Sequence, residues 1–261
     1  MKILMIGDVL SKIGRKALID GLPAMRKRLA ADIVTANVEN GAGMFGITEK
    51  VVEEISSSGV DIMTGGNHIW DKREGVRLME DREDLLRPAN YPPGVPGYGH
   101  VIREVGGRMV CVINLQGRTF MPDIDCPFRK ADEILSSIPS DVKVIAVDFH
   151  AEATSEKLAL AYYLDGRVSV LAGTHTHIPT ADERILPKGT AYQTDIGMAG
   201  PYSSIIGVNK EQVIERFLKG INVRLQVGGE DPCIEGLLAE VDDQSGKALK
   251  VTRIHEFING D

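Results

Sequence analysis

The chain begins Met1-Lys2-Ile3-Leu4-Met5-Ile6-Gly7-Asp8, four apolar residues in a row closed by a glycine and an acid. A run this short and without polar alternation reads as a strand buried on both faces. The rhythm then repeats. Arg15–Leu29 has the spacing of an amphipathic helix, Ile33–Val38 is a second buried strand and Ile47–Ile55 a second helix. Asp61–Thr64 is a third strand and Lys72–Met79 a short helix. Strands alternating with helices predict parallel pairing through right-handed crossovers.

Further on, Arg87–Gly99 carries Pro88, Pro92, Pro93 and Pro96 among Gly94, Gly97 and Gly99 and reads as a long loop. Strand patterns resume at Val101–Val105 and Met109–Asn114. A strand at Val142–Phe149, a helix at Thr154–Leu164 and a strand at Val168–Leu171 follow. After about Pro179 the chain turns β-rich, with a helix at Lys210–Leu218 and strands at Ile234–Val241 and Ala248–Ile254. No repeat or linker divides it, so a single α/β domain over residues 1–261 is expected.

Composition narrows the function. With 30 Lys+Arg against 37 Asp+Glu the net charge is −7, which argues against a broad nucleic-acid or anionic-membrane surface. Cys111, Cys126 and Cys233 are too far apart for a zinc ribbon or a disulfide framework. The N-terminal apolar run is too short for a signal peptide, and no stretch approaches the roughly 20 residues of a membrane span. A cytoplasmic protein is the expectation.

The polar residues fall where the buried strands end. Gly7-Asp8 follows the first and Glu39-Asn40 the second. Gly65-Gly66-Asn67-His68 follows the third, Asp148-Phe149-His150 ends a fourth, and Gly173-Thr174-His175-Thr176-His177 follows a fifth. Open α/β sheets bind ligands beyond the carboxyl ends of their strands, so these groups are expected to meet in one crevice. Carboxylate, amide and imidazole donors without a thiolate suit manganese, iron or zinc. Asp8, Glu39, Asn40, Asn67, His150, His175 and His177 are too many for one ion, which predicts two, with a bridging carboxylate and a bridging hydroxide. Two such ions would outweigh the acids and make the crevice locally positive, a place to hold a phosphate.

These blocks resemble the signature of the calcineurin-like metallophosphoesterases. More narrowly, Gly7-Asp8-Val9 with Gly14-Arg15, Asn37-Val38-Glu39-Asn40-Gly41-Ala42 and Gly66-Asn67-His68-Ile69-Trp70-Asp71 resemble the YmdB-type branch over essentially the whole chain. The resemblance implies a four-layer α/β/β/α sandwich of two mixed sheets. It implies a first metal on Asp8, Glu39 and His177 with Asn40 nearby, and a second on Asn67, His150 and His175, with Glu39 bridging. His68 would touch the phosphate and protonate the leaving alkoxide, work that suits imidazole. The superfamily's Asp-x-His is Asp8-Val9-Leu10 here, so Asn40 stands in for the missing histidine, and the bridging acid is a glutamate. Iron or manganese, with zinc as a third option, is the implied cofactor. Phosphodiesters, 2′,3′-cyclic nucleotides among them, are the implied substrates, and a homo-oligomer is expected.

Arg118, in the loop after a strand, is a candidate phosphate contact, and Tyr91 or Tyr98 a candidate base-stacking group. Gly41-Ala42-Gly43-Met44-Phe45-Gly46 matches the dinucleotide-binding pattern GxGxxG. It follows the second strand, after two polar residues, so a tight loop beside Glu39 and Asn40 is the preferred reading. A metal-stabilised regulatory or scaffold protein with little turnover is the remaining alternative.

Overall fold

The computed structural model describes residues 1–258. In chain order the elements are β1 (Lys2–Val9), α1 (Ser11–Leu29), β2 (Ile33–Asn37), α2 (Glu49–Ser57), β3 (Ile62–Thr64) and α3 (Arg73–Asp81). Then come β4 (His100–Val105), β5 (Arg108–Gln116), α4 (Pro127–Ser137), β6 (Val144–His150), α5 (Thr154–Leu164) and β7 (Val170–Thr174). The chain closes with β8 (Arg184–Ile185), β9 (Ala191–Gln193), β10 (Met198–Pro201), α6 (Lys210–Lys219), β11 (Pro232–Val241) and β12 (Ala248–Phe257). Among the described residues no helix is long and apolar enough to cross a membrane.

Two six-stranded sheets result, ordered β12-β11-β10-β1-β2-β3 and β4-β5-β6-β7-β9-β8. Both are mixed: β1–β2–β3 and β5–β6–β7–β9 run parallel, while β11 with β12 and β4 with β5 are antiparallel. Period-two alternation builds the layers. Ile3, Met5, Ile33 and Ile62 of the first sheet meet Val110, Val112, Val144, Ala146, Val170 and Ala172 of the second in a shared core. Their neighbours Leu4, Ile6, Val34 and Ala36 face outward onto Leu18, Leu22 and Val52 of α1 and α2. Ile145, Val147 and Phe149 face Ala131 of α4 and Leu160 and Leu164 of α5. Helix, sheet, sheet and helix are thus stacked by the residue pattern itself.

The sequence reading misses α4 and β10. Pro127 sits at the first turn of α4, where its missing N–H costs nothing but masks the helical signal. Met198-Ala199-Gly200-Pro201 lies in the stretch read only as β-rich, and as β10 it wedges beside the carboxyl end of β1, pairing with Asp8 and Val9. Strand β7 also runs further than expected, through Thr174, so His175 is the first residue beyond it.

One irregularity positions the site. The β1–β2 register passes from Ile6↔Ala36 directly to Asp8↔Asn37, so Gly7 is a bulge. Simple alternation would put Asp8 on the helix-facing side with Leu4 and Ile6. The extra residue turns Asp8 into the space between the sheets, as bulges do. A Cβ on Gly7 would lie 2.0 Å from the Gly197 carbonyl oxygen, so the close approach requires glycine. Replacing Gly7 with alanine is therefore expected to cost about 2 kcal/mol or more of unfolding free energy. Urea denaturation measures it, and an unchanged midpoint would contradict the bulge's role.

Candidate metal centre

The carboxyl ends of β1, β2, β3, β6 and β7 open on one crevice between the sheets, and the alternation that made the core apolar now presents polar groups. Asp8 and Glu39 are 0% and 1% exposed. The Glu39 Oε1 atom lies 3.0 Å from His150 Nε2, and Oε2 accepts a 2.8 Å hydrogen bond from the His68 N–H. Asn67 Oδ1 and His175 Nδ1 lie 3.1 and 3.0 Å from the same His150 Nε2. Donor atoms of Glu39, His150 and His175 fall within 4.8 Å of one another. On the other side, His177 Nε2 is 3.7 Å from Asp8 Oδ1 and 3.4 Å from Asn40 Nδ2. All seven residues expected from the sequence are therefore brought together.

Whether metal ions fit here is a question for the donor atoms. Ligands held at about 2.1 Å around one ion stand roughly 3 Å apart, which is the spacing around His150 Nε2. That nitrogen cannot hydrogen-bond three neighbours at once. Among the described residues, Asp8 Oδ1 and Asn40 Oδ1 are buried with no hydrogen-bond partner. Each imidazole is also oriented from behind. His150 Nδ1 is 3.1 Å from Thr174 Oγ1, whose hydroxyl donates to Asp148 Oδ1 at 2.7 Å. His175 Nε2 is 3.1 Å from Glu152 Oε2, and His177 Nδ1 is 3.0 Å from the Ile206 carbonyl oxygen. Each outer partner fixes the tautomer that leaves the inner nitrogen free for an ion. The residues fit metal binding.

The electrostatics agree. Burial alone would raise the Asp8 carboxyl, but His177, His150 and the His175 N–H outweigh it and hold it well below the usual carboxylate range. Burial likewise opposes a charged His177, yet the Asp8 carboxylate pushes it up to about 9. His175 goes the other way, down to about 4, through burial and the neighbouring His150. The loop between β7 and β8 is strained, with φ of 100° at His175 and 64° at His177. Conformations of that kind cost of order 1–3 kcal/mol each and persist where their surroundings force them. Here the His175 N–H donates to Asp8 Oδ2 (3.1 Å) and the Thr176 N–H to Asp195 Oδ2 (3.2 Å).

A second set of residues, quoted in the strand-end blocks or within a strand, is given no role by the sequence reading. Asn37, Thr64, Asp148 and Thr174 form a buried polar layer directly under the donors, in which Asp148 accepts from Thr64, Thr174 and Asn37. Burial pushes the Asp148 carboxyl up to about 6. The available signal is period two: Asp148 and Asn37 stand two residues before His150 and Glu39. Glycine at 66 belongs here too, since a Cβ would lie 2.2 Å from the His150 ring.

Above the donors lies a cavity of about 360 Å³, with Glu39, Asn40, His175 and His177 on its floor and Leu10, Phe45, His68, Ile206 and Leu225 on its walls. The His68 Nδ1 atom is 2.9 Å from Asp71 Oδ2, and its ring lies 4.3 Å from that of Phe45. The glycine loop folds back through Ala42 N–H to the Gly46 carbonyl oxygen (2.9 Å), bringing Met44 and Phe45 to the cavity. Arg118 is exposed, with its backbone N–H held by Glu156, and does not line the cavity. Neither do Tyr91, which packs edge-on against Trp70, and Tyr98.

Comparison with known proteins sets the site in context. A family model described as YmdB-like protein matches residues 4–254. A Bacillus subtilis (strain 168) protein named 2′,3′-cyclic-nucleotide 2′-phosphodiesterase is 47% identical over 261 residues, covering 100% of this chain and 98% of that relative. A crystal structure of a hypothetical protein from Thermus thermophilus superposes with a TM-score of 0.93 at 40% identity, over 99% of this chain and 100% of the other. A structure described as a novel phosphatase from Mycoplasma pneumoniae gives 0.92 at 35% identity, over 98% of this chain and 93% of the other. A 5′-nucleotidase precursor from Thermus thermophilus, 16% identical with a TM-score of 0.58 over 99% of this chain and 54% of its own, shares the fold.

The strained loop rests on a buried ion pair. Lys157 Nζ of α5 is 2.6 Å from Asp195 Oδ2, both side chains sealed from solvent, and Asp195 Oδ1 accepts from the Gly197 N–H. Removing one member leaves the other buried and uncompensated. Lys157→Met is expected to lose about 3–5 kcal/mol in urea denaturation. Adding Asp195→Asn, which removes the uncompensated charge but keeps an acceptor for the loop, should recover part of it, and a Lys157→Met variant as stable as the parent would contradict the bracing role.

Proposed function

The chain belongs to the YmdB-like family and is an enzyme of phosphoester hydrolysis, and on that premise we propose that it hydrolyses phosphodiesters, 2′,3′-cyclic nucleotides foremost, at a dinuclear metal centre. Asp8, Asn40 and His177 would hold one ion and Asn67, His150 and His175 the other, with Glu39 shared. The reading carries with it a single domain over residues 1–261, a cytoplasmic location, self-association and iron or manganese in the site. The observation that carries it is two buried carboxylates, ringed by histidine and asparagine donors, beneath a cavity that His68 lines.

When bound, the ions would supply Lewis-acid stabilisation of phosphoryl charge and bring the pKa of water down to about 7. The rest falls to the chain. Asp71 fixes the His68 ring through Nδ1. The other nitrogen is then the one that delivers a proton to the leaving ribose oxygen. The His68 N–H also anchors Glu39, so the proton donor and the shared carboxylate keep a fixed spacing. Leu10, Phe45, Ile206 and Leu225 form apolar walls suited to the faces of a base and ribose. A volume of about 360 Å³ suits a mononucleotide, and the net charge of −7 works against a polymer. The open cavity also favours turnover over a closed structural metal site.

His68→Ala is expected to lower kcat on a 2′,3′-cyclic nucleotide by about 10²–10⁴-fold while metal content stays. The loss should shrink for bis(p-nitrophenyl) phosphate, whose leaving group needs no proton. Equal losses on both substrates would contradict the acid role.

Metal affinity should depend on pH in a stated direction. His177 of the metal-free chain is pushed up to about 9, so near neutrality an ion must displace its proton, whereas His175, at about 4, is already neutral. With His150 raised as well, Mn²⁺ affinity, read by chelator competition, should rise with pH above neutrality and level off near 9. A flat profile over that window would count against His177 as a ligand.

A further inference from the structure

Cys233, Glu235 and His255 form a second cluster of donors on the first sheet. Cys233 and Glu235 lie two residues apart on β11 and share a face, and Glu235 is the cross-strand partner of His255 on β12. His255 Nδ1 is 2.9 Å from Glu235 Oε1 and 3.9 Å from Cys233 Sγ. One sulfur, one oxygen and one nitrogen fall within 4.8 Å of one another. A single imidazole nitrogen thus faces a carboxylate and a thiol together, though it can make a good hydrogen bond to only one.

The surroundings hold this arrangement. The rings of Tyr202 and Phe257 pack edge-on against His255 at 5.2 Å each, which fixes the imidazole plane. Glu235 Oε2 accepts a 3.1 Å hydrogen bond from the Met198 N–H, which fixes the carboxylate. Cys233 and Glu235 are buried, while the His255 side chain is 38% exposed. Glu235 and His255 line a cleft of about 630 Å³, which gives an ion access from solvent.

We propose that Cys233, Glu235 and His255 bind a single transition-metal ion, zinc by preference, with one coordination position open to the cleft. The donor set decides the metal: a thiolate, an imidazole and a carboxylate suit tetrahedral zinc, and three protein ligands with a free position mark a reactive or exchangeable site. At zinc distances of about 2.0–2.3 Å, tetrahedral donors stand roughly 3.3–3.6 Å apart, between the two separations seen here. Binding releases the thiol proton and replaces the imidazole–carboxylate hydrogen bond with two metal bonds. One thiolate and one carboxylate then neutralise the divalent ion, so no net charge is left in a buried place.

Cobalt titration of the metal-free full-length chain tests this by absorbance. The residues assigned to the dinuclear centre include no cysteine, so a near-ultraviolet thiolate-to-cobalt charge-transfer band reports the new site alone. The expected result is a band whose final amplitude corresponds to one thiolate-bound cobalt per chain, that is displaced by Zn²⁺ and is lost in Cys233→Ser. Should that variant fail to fold, His255→Gln decides, and it too must lose the band. Phosphodiester turnover by Cys233→Ser should match the parent, which separates this outcome from the fate of the proposed function. A parent chain that takes up cobalt with no such band, or a band that survives either substitution, would overturn the proposal.

Discussion

Asp8 and Glu39 place two carboxylates in a space closed by two sheets, and much of the architecture answers that cost. An isolated buried anion is prohibitively expensive, so it must be protonated or given a cation. Here the available partners are imidazoles, and they hold the Asp8 and Glu39 carboxyls below their ordinary values. Such an arrangement stores affinity for positive charge, and it fits the unpartnered oxygens of Asp8 and Asn40. The acidic net charge and the locally cation-seeking crevice are therefore two scales of one design.

Strand geometry makes the arrangement possible. Residues that alternate as Ile, Met, Val and Ala through the shared core are replaced at the carboxyl ends by Asp, Asn, Thr and His on the same face. A single bulge at Gly7 decides whether Asp8 joins them. The loop carrying His175 and His177 accepts unfavourable backbone angles because Asp8, Asp195 and Lys157 pin it from below. Stability spent on strain and on a buried ion pair thus reappears as preorganised ligand geometry.

Much of this was legible in the sequence, for a physical reason. Buried parallel strands are the strongest local signal, and chemistry at their ends is a consequence of topology, so Asp8, Glu39, Asn67, His150 and His177 could be found without coordinates. The polar layer of Thr64, Asp148 and Thr174 was harder, because each sits inside a strand and gains meaning only from the opposing sheet. The ion pair of Lys157 and Asp195 spans 38 residues and leaves no local pattern. Arg118 shows the reverse failure: a polar residue after a strand that the fold leaves exposed, outside the cavity. Cys233 and His255 meet only through the register of β11 and β12, which spacing alone does not give.

The account stands on the convergence of five strand ends on two ions. Anomalous scattering from crystals of the metal-loaded protein, recorded at the absorption edge of the bound metal, tests it most directly. It predicts two peaks about 3.5–4 Å apart with Glu39 between them. Asp8 and His177 should touch one ion, and His150 and His175 the other. A single peak, or two peaks of which neither touches Glu39, would contradict it.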